Sequence, residues 1–470
     1  MHYYYKWKYR IPEPQRRKHT VIIGATGSGK SEFMKTQMHQ HILRGKTAVI
    51  GFDPNGDFAE QVAQFRENAW PQRSWKLIYI NPSEFGDVFP VINPLDLPNV
   101  STETLDKVTQ ALFKTMEQSF KELDLKLTGA MAGMLYNMLH TLYRKEGSSL
   151  IDLVRFVDDN LNSDLVKLWA DTDNYVIKDY FTNKFMNPGL SVTKVGLANR
   201  VNNFLAAQSL QRLIVGKTTI NLQKEINKRN TIIFNLSKGK LWPKVSKIYG
   251  RFILTTLLNL TLARADIEEK YRVPCHFYID EFHNFLSDTF IEVFAEGRKY
   301  RVYLTVATQV IGLWMTPDVK KAILWNCNVK ILGKAGYQSR EEMMKQMGYV
   351  DSIWLRKRGI WKRTFSKLMT GRFVAQYGIS RPFKIKVPKF LLWNKHSMSE
   401  KKRRRILDKQ REANYVLPFY VTNPIQAPLP QHNPFDWSSS TNSIVDDRQS
   451  LLSGEEKIYN SKRKFRRNMN

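Results

Sequence analysis

The chain has 470 residues, with 73 Lys+Arg against 43 Asp+Glu and a net charge of +30. That length allows two or three domains, and the charge points to a polyanionic partner: nucleic acid ahead of an anionic membrane surface, a solvated basic face or a basic tail. Two cysteines, Cys275 and Cys327, exclude a disulfide framework and stand at no metal-ligand spacing, which fits a reducing cytoplasm.

In chain order, residues 1–19 form a basic, aromatic arm with no apolar secretory core. TVIIG (20–24) has the pattern of a short buried strand, and GSGKSEFMKTQMHQHILRG (27–45) of a loop running into a helix. TAVIGFD (47–53) and KLIYINP (76–82) are further strands, so 20–99 opens a parallel α/β sheet. From 100 to 215 the pattern turns helical, in STETLDKVTQALFKTMEQSF, AMAGMLYNMLHTLYR and SSLIDLVRFVDDNL, and predicts an inserted helical domain. Over 216–390 strands return at TIIFNLS (231–237), CHFYIDEF (275–282), VYLTVATQ (302–309) and NVKILGK (328–334), with helical segments between them. RFVAQY and PFKIKV are placed to pair as a terminal hairpin. Residues 391–470 are expected to be a basic, largely disordered tail, with KKRRR at 401–405 and a Pro-, Ser- and Asn-rich composition after about 425. The longest apolar run, 252–263, is too short to span a bilayer. The expectation is a cytoplasmic protein, brought to a membrane only by a partner. The fold class is α/β: a doubly wound, mostly parallel sheet with one helical insertion.

The phosphate-binding signature is complete. GATGSGKS (24–31) fits G-x-x-x-x-G-K-[ST] between a strand and a helix. Gly24, Ala25, Thr26, Gly27, Ser28, Gly29, Lys30 and Ser31 are therefore the candidate cradle for ATP. Glycines let the backbone N–H groups turn inward, Lys30 reaches the β/γ-phosphates, and the Ser31 hydroxyl ligates Mg²⁺. A P-loop needs an acidic partner on a neighbouring strand, and HFYIDE (276–281) offers one. Asp280 is assigned to Mg²⁺ and Glu281 to the general base that polarises the attacking water. Gln309 ends the next strand, beside the expected γ-phosphate. NKRN (227–230) and NKHS (394–397) both lack the Asp of a guanine-reading motif, which favours ATP over GTP. Arg298, in GRKYR (297–301), is the first candidate for an arginine acting on a neighbouring subunit's nucleotide; Arg301 and Arg200 are alternatives.

These residues carry a family resemblance. IDEFHNF…FAEGRKYRVYLTVATQ (279–309) resembles the HerA/FtsK superfamily of RecA-like DNA pumps, and within it the TraG-like coupling ATPases of conjugation and type IV secretion. IGFDPNGDF (50–58), FPVINPLD (89–96), KVGLANRVNNFL (194–205) and WNCNVKILGKAG…MMKQMG (325–348) agree in order. The resemblance implies a RecA-like P-loop core, a ring (a hexamer in the first instance) and non-specific contacts to DNA along its phosphates in a central channel. It also implies a relaxase, secretion-channel or capsid partner. Membrane-bound members begin with transmembrane helices, whereas the P-loop here starts at residue 24. That keeps open genome packaging and HerA-type DNA processing. An assembly switch and a protein-secretion ATPase are the alternatives of another class.

Overall fold

A computed structural model describes residues 11–417, except 70–75, 85, 98–100, 169–171, 173, 240, 266, 313–314, 349–367 and 388–395. Most of the N-terminal arm and the tail beyond 417 lie outside the described residues.

Each β-branched run identified above forms a strand. They are β1 Thr20–Ile23, β2 Ala48–Asp53, β3 Leu77–Ile80, β4 Thr231–Asn235, β5 Cys275–Ile279, β6 Val302–Thr308 and β7 Val329–Leu332. The hairpin supplies β8 Arg372–Tyr377 and β9 Phe383–Lys386. Together they make one nine-stranded sheet in the order β3-β4-β2-β5-β6-β1-β7-β8-β9. Pairs through β7 are parallel, while β7–β8 and β8–β9 are antiparallel. β1 to β6 are buried at every position, as parallel strands covered on both faces must be.

Successive side chains alternate between two cores. Val21, Ile23, Ala48, Ile50 and Phe52 pack on one face, Ile22 and Val49 on the other. The first face carries the helices Thr102–Glu122, Gly129–Leu142, Pro243–Leu262 and Asp288–Glu296. The stretch from Thr102 to Ile214 is helical in the described residues, and its buried residues share one continuous core with this face of the sheet. The Thr115 and Thr255 hydroxyls, 2.8 Å apart, tie two of these helices together. The second face is covered by the helices Lys30–Arg44 and Asp57–Ala63 and by a C-terminal helix, Glu400–Asn414.

That last helix differs from the disordered tail expected from 391. Lys401, Lys402, Arg404 and Arg405 of the KKRRR run are exposed, Arg403 is half-buried, and the inner face buries Leu407 and Gln410. Gln410 explains why it docks. β3 is an edge strand with free backbone groups. The Gln410 amide accepts from Tyr79 N at 3.0 Å and donates to Tyr79 O at 2.8 Å, so it pairs the edge as another strand would. No described helix is long and apolar enough to cross a membrane.

Candidate functional site

Parallel packing brings the carboxyl ends of β1, β5 and β6 to one edge. Ile23 lies level with Thr308, and Ile279 with Val306. The residues following those strands are Gly24, Asp280–Glu281 and Gln309, so three segments far apart in sequence converge there.

The loop after β1 has the conformation its glycines allow. Gly27 and Gly29 take positive φ of 71° and 96°, and a Cβ on Gly24 would come within 2.5 Å of Ser28 Oγ. The Gly29 position is closed from behind by the turn before β8. Gly371 N donates to Ser28 O at 2.8 Å, and the Thr370 hydroxyl donates to Gly27 O at 3.0 Å. The helix Lys30–Arg44 starts directly from this loop, with no side-chain cap at Gly29. The N–H groups of Gly29, Lys30 and Ser31 make no backbone hydrogen bond, and the buried Ser28 hydroxyl has no partner. Unspent donors, a helix N-terminus and a lysine are the donor set that a triphosphate requires, so these residues fit the nucleotide.

Lys30 is 6% exposed and folds back over the loop, donating to Gly24 O at 2.8 Å; its Nζ lies 3.6 Å from Glu281 Oε1. Ser31 Oγ donates to Asp280 Oδ2 at 2.8 Å, so the two expected Mg²⁺ ligands already touch. Burial pushes the Asp280 carboxyl up to about 6; the charges of Asp53 and Glu281 add to this, against the Ser31 hydrogen bond and Lys30. A divalent cation relieves that repulsion, which is a second sign of fit.

Glu281 sits in the left-handed region, φ 42° and ψ 49°, a conformation that costs a non-glycine residue about 1 kcal/mol or more. The turn directs its carboxylate back under the P-loop. Oε1 accepts from Gln309 Nε2 at 3.0 Å; Oε2 is buried without a hydrogen-bond partner, with His283 Nδ1 at 3.5 Å. Burial holds His283 below its ordinary pKa, against the Glu281 charge. Gln309 bridges the site, because its Oε1 also accepts from the Thr26 hydroxyl at 2.9 Å.

Lys30, Ser31, Asp280, Glu281 and Gln309 are thus brought together, and Arg298 is not. It lies in the turn Gly297–Tyr300 just before β6, beside Pro14, Arg17 and Lys18, at the opposite end of that strand from Gln309. Seven strand residues separate the two ends, on the order of 20 Å. Arg301 faces Glu269 and donates to Arg272 O, and Arg200 donates to Lys126 O within the helical region. Asp53 escaped the sequence reading as a site residue. It ends β2, next to β5, and accepts from Asn55 N and Ala59 N, while burial raises its pKa. The legible signal was an acid at a buried strand end followed by Pro-Asn-Gly.

Residues 15–239 match the sequence family described as "Helicase HerA, central domain". Among solved structures, the chain is similar to the bacterial conjugative coupling protein TrwBdeltaN70, at 12% identity and a TM-score of 0.52, with 80% of this chain and 86% of that one covered. It is similar to plasmid coupling protein TrwB in complex with ADP and Mg²⁺, at 13% identity, TM-score 0.51 and coverage of 80% and 86%. It also resembles VirB4 of Thermoanaerobacter pseudethanolicus, at 17% identity, TM-score 0.50 and coverage of 82% and 90%. At these identities the likeness is one of fold. No curated protein matches the chain by sequence.

Proposed function

We propose that the chain is an ATP-driven motor of the HerA/FtsK type, resembling the TraG-like ATPases, that works as a ring and moves DNA in conjugative or type IV-like transfer; the HerA central-domain match over residues 15–239 and the fold shared with TrwB and VirB4 support this reading. The observation that carries the ATPase reading is the convergence of Ser31 on Asp280 and of Gln309 on Glu281 at the mouth of an open P-loop.

In this reading Gly24–Ser31 hold the phosphates, Lys30 neutralises the β/γ oxygens, and Ser31 and Asp280 hold Mg²⁺. The bound metal supplies charge neutralisation at the phosphates. Glu281 takes the proton of the attacking water, and Gln309 holds the Glu281 carboxylate in place and reports on the γ-phosphate through Thr26. TrwB was solved with ADP and Mg²⁺, which supports the same ligands here. Arg298 stands too far from its own P-loop to act there, so a transition-state role for it requires a second copy, as in a hexameric ring.

The +30 charge supports DNA as the cargo, held through its phosphates without sequence reading. The helix Glu400–Asn414 adds an exposed basic face in Lys401, Lys402, Arg404, Arg405, Lys409 and Arg411. Mixed rings test the arginine. Lys30→Ala and Arg298→Ala proteins should each be nearly inactive alone and recover part of the ATPase activity when mixed. An Arg298→Ala protein with normal DNA-stimulated turnover removes Arg298 from the mechanism.

A further inference from the structure

Away from the nucleotide site, two buried histidine–glutamate clusters stand on the same helix, Lys30–Arg44. One joins Glu13, His41 and His276, the other His39, Glu67 and His396. Their surroundings separate them. Glu13 is already spent: Arg16 donates to its Oε2 at 2.6 Å and Arg44 at 2.9 Å. The positive charges of Arg16, Arg17 and Arg44 also surround His41. A cation has no place in that cluster.

In the second cluster the carboxylate faces histidines and not arginines, although the Arg66 charge also reaches His396. His39 and Glu67 are each 1% exposed. His39 Nε2 lies 3.2 Å from Glu67 Oε2, and His396 Nδ1 lies 3.5 Å from Glu67 Oε1. Yet neither ring nitrogen of His39, nor Glu67 Oε2, has a hydrogen-bond partner. The His39–Glu67 pair is close but not aligned to share a proton. Buried polar atoms left in this state cost free energy that a common third partner would recover. Two ligands bound tetrahedrally at zinc distances are about 3.3 Å apart, close to both separations. One donor atom from each residue lies within 4.8 Å of the others, so only the less buried His396 ring has to close in.

The backbone fixes the third ligand in register. Phe65 and Ser397 form an antiparallel bridge, Arg66 N donates to His396 O at 2.7 Å, and Met398 N donates to Gln64 O at 2.9 Å. His396 is thereby presented to Glu67 just before the helix Glu400–Asn414.

We propose that His39, Glu67 and His396 form a zinc site, completed by water, that clamps the C-terminal segment to the helix leading from the P-loop. Two imidazoles and a carboxylate are a recognised zinc donor set. His39 stands on the same rigid helix as Lys30 and Ser31, so the clamp ties the basic C-terminal helix to the element that carries the phosphate site.

The test uses untagged full-length protein stripped with a chelator selective for zinc, with Mg²⁺ held constant. Titration with Zn²⁺ should load about one ion per chain, and Co²⁺ in its place should give the visible bands of a four-coordinate site. Glu67→Gln and His396→Gln should each weaken Zn²⁺ binding at least about tenfold, and His396→Cys, which keeps a ligand, should restore it. Removing zinc should speed amide exchange across 400–414 in the wild type and leave the His396→Gln variant unchanged. The cobalt spectrum and the exchange measurement on wild type need no variant to fold. Failure of the wild type to bind Zn²⁺ at micromolar free metal overturns the proposal. So do wild-type zinc affinity in both glutamine variants and amide exchange at 400–414 that ignores zinc.

Discussion

If Asp280 holds Mg²⁺ as proposed, its burial sets stability against function, and Asp280→Asn exposes the conflict. A carboxyl whose pKa is raised from 3.8 to about 6 in the folded protein disfavours folding at neutral pH by about 3 kcal/mol. The sign follows from proton uptake. Between pH 3.8 and about 6 the folded chain binds more protons than the unfolded one, so stability falls as pH rises through that window. Asparagine removes this term. It keeps one acceptor oxygen for two donors, the Ser31 hydroxyl and Glu281 N, and leaving one of them unpaired costs about 1–2 kcal/mol. At pH 7, without Mg²⁺ or nucleotide, the variant should therefore be more stable by about 1–2 kcal/mol. Near pH 4 the ionisation term has shrunk to about 0.5 kcal/mol, so the order should reverse. Urea unfolding at the two pH values measures both differences. Adding MgADP at about 100 times its Kd should stabilise the wild type by about 2.7 kcal/mol and the variant by much less. A variant less stable than wild type at both pH values would show that Asp280 is not under strain.

Glu281→Gln should bind MgATP with near wild-type affinity and turn over at least about 100-fold more slowly, measured by equilibrium binding and single-turnover hydrolysis; loss of binding would make Glu281 a structural residue. Lys30→Ala should lose both binding and turnover, and near-normal turnover would remove the P-loop from the chemistry. Gln410→Ala should cost about 1–3 kcal/mol, because Tyr79 N loses its partner on the β3 edge while Tyr79 O keeps only the 3.4 Å bond from the Tyr415 hydroxyl; an unchanged urea midpoint would mean that the helix Glu400–Asn414 does not guard it. DNA affinity should fall by orders of magnitude between about 50 and 200 mM salt, and a flat response would argue against phosphate contacts.

What could be seen in the sequence was whatever a local period or a fixed spacing encodes. The buried strands from Thr20 to Leu332 and the β8–β9 hairpin follow from apolar runs bounded by turns. The P-loop and the acid pair follow from residue chemistry at set distances. What escaped depends on pairing between distant segments. The strand order, the Gly371 turn behind Gly29, and the Gln309 bridge from Glu281 to Thr26 have no local signature. The C-terminal helix was hidden because its composition is dominated by its solvent face: one buried leucine and one glutamine are all that mark the inner side. The positive φ of Glu281 is likewise invisible, since nothing in the letters Asp-Glu-Phe-His announces a left-handed residue.

Coupling of the proposed ATP hydrolysis to DNA is measured by the steady-state ATPase rate with and without double- and single-stranded DNA, with Lys30→Ala as the control for contaminating activity. The expected result is a low rate alone, a rise of several-fold or more with at least one form of DNA at low salt, loss of that rise as salt increases, and no activity in the variant. A Lys30-dependent rate that neither form of DNA changes at any salt concentration would contradict it.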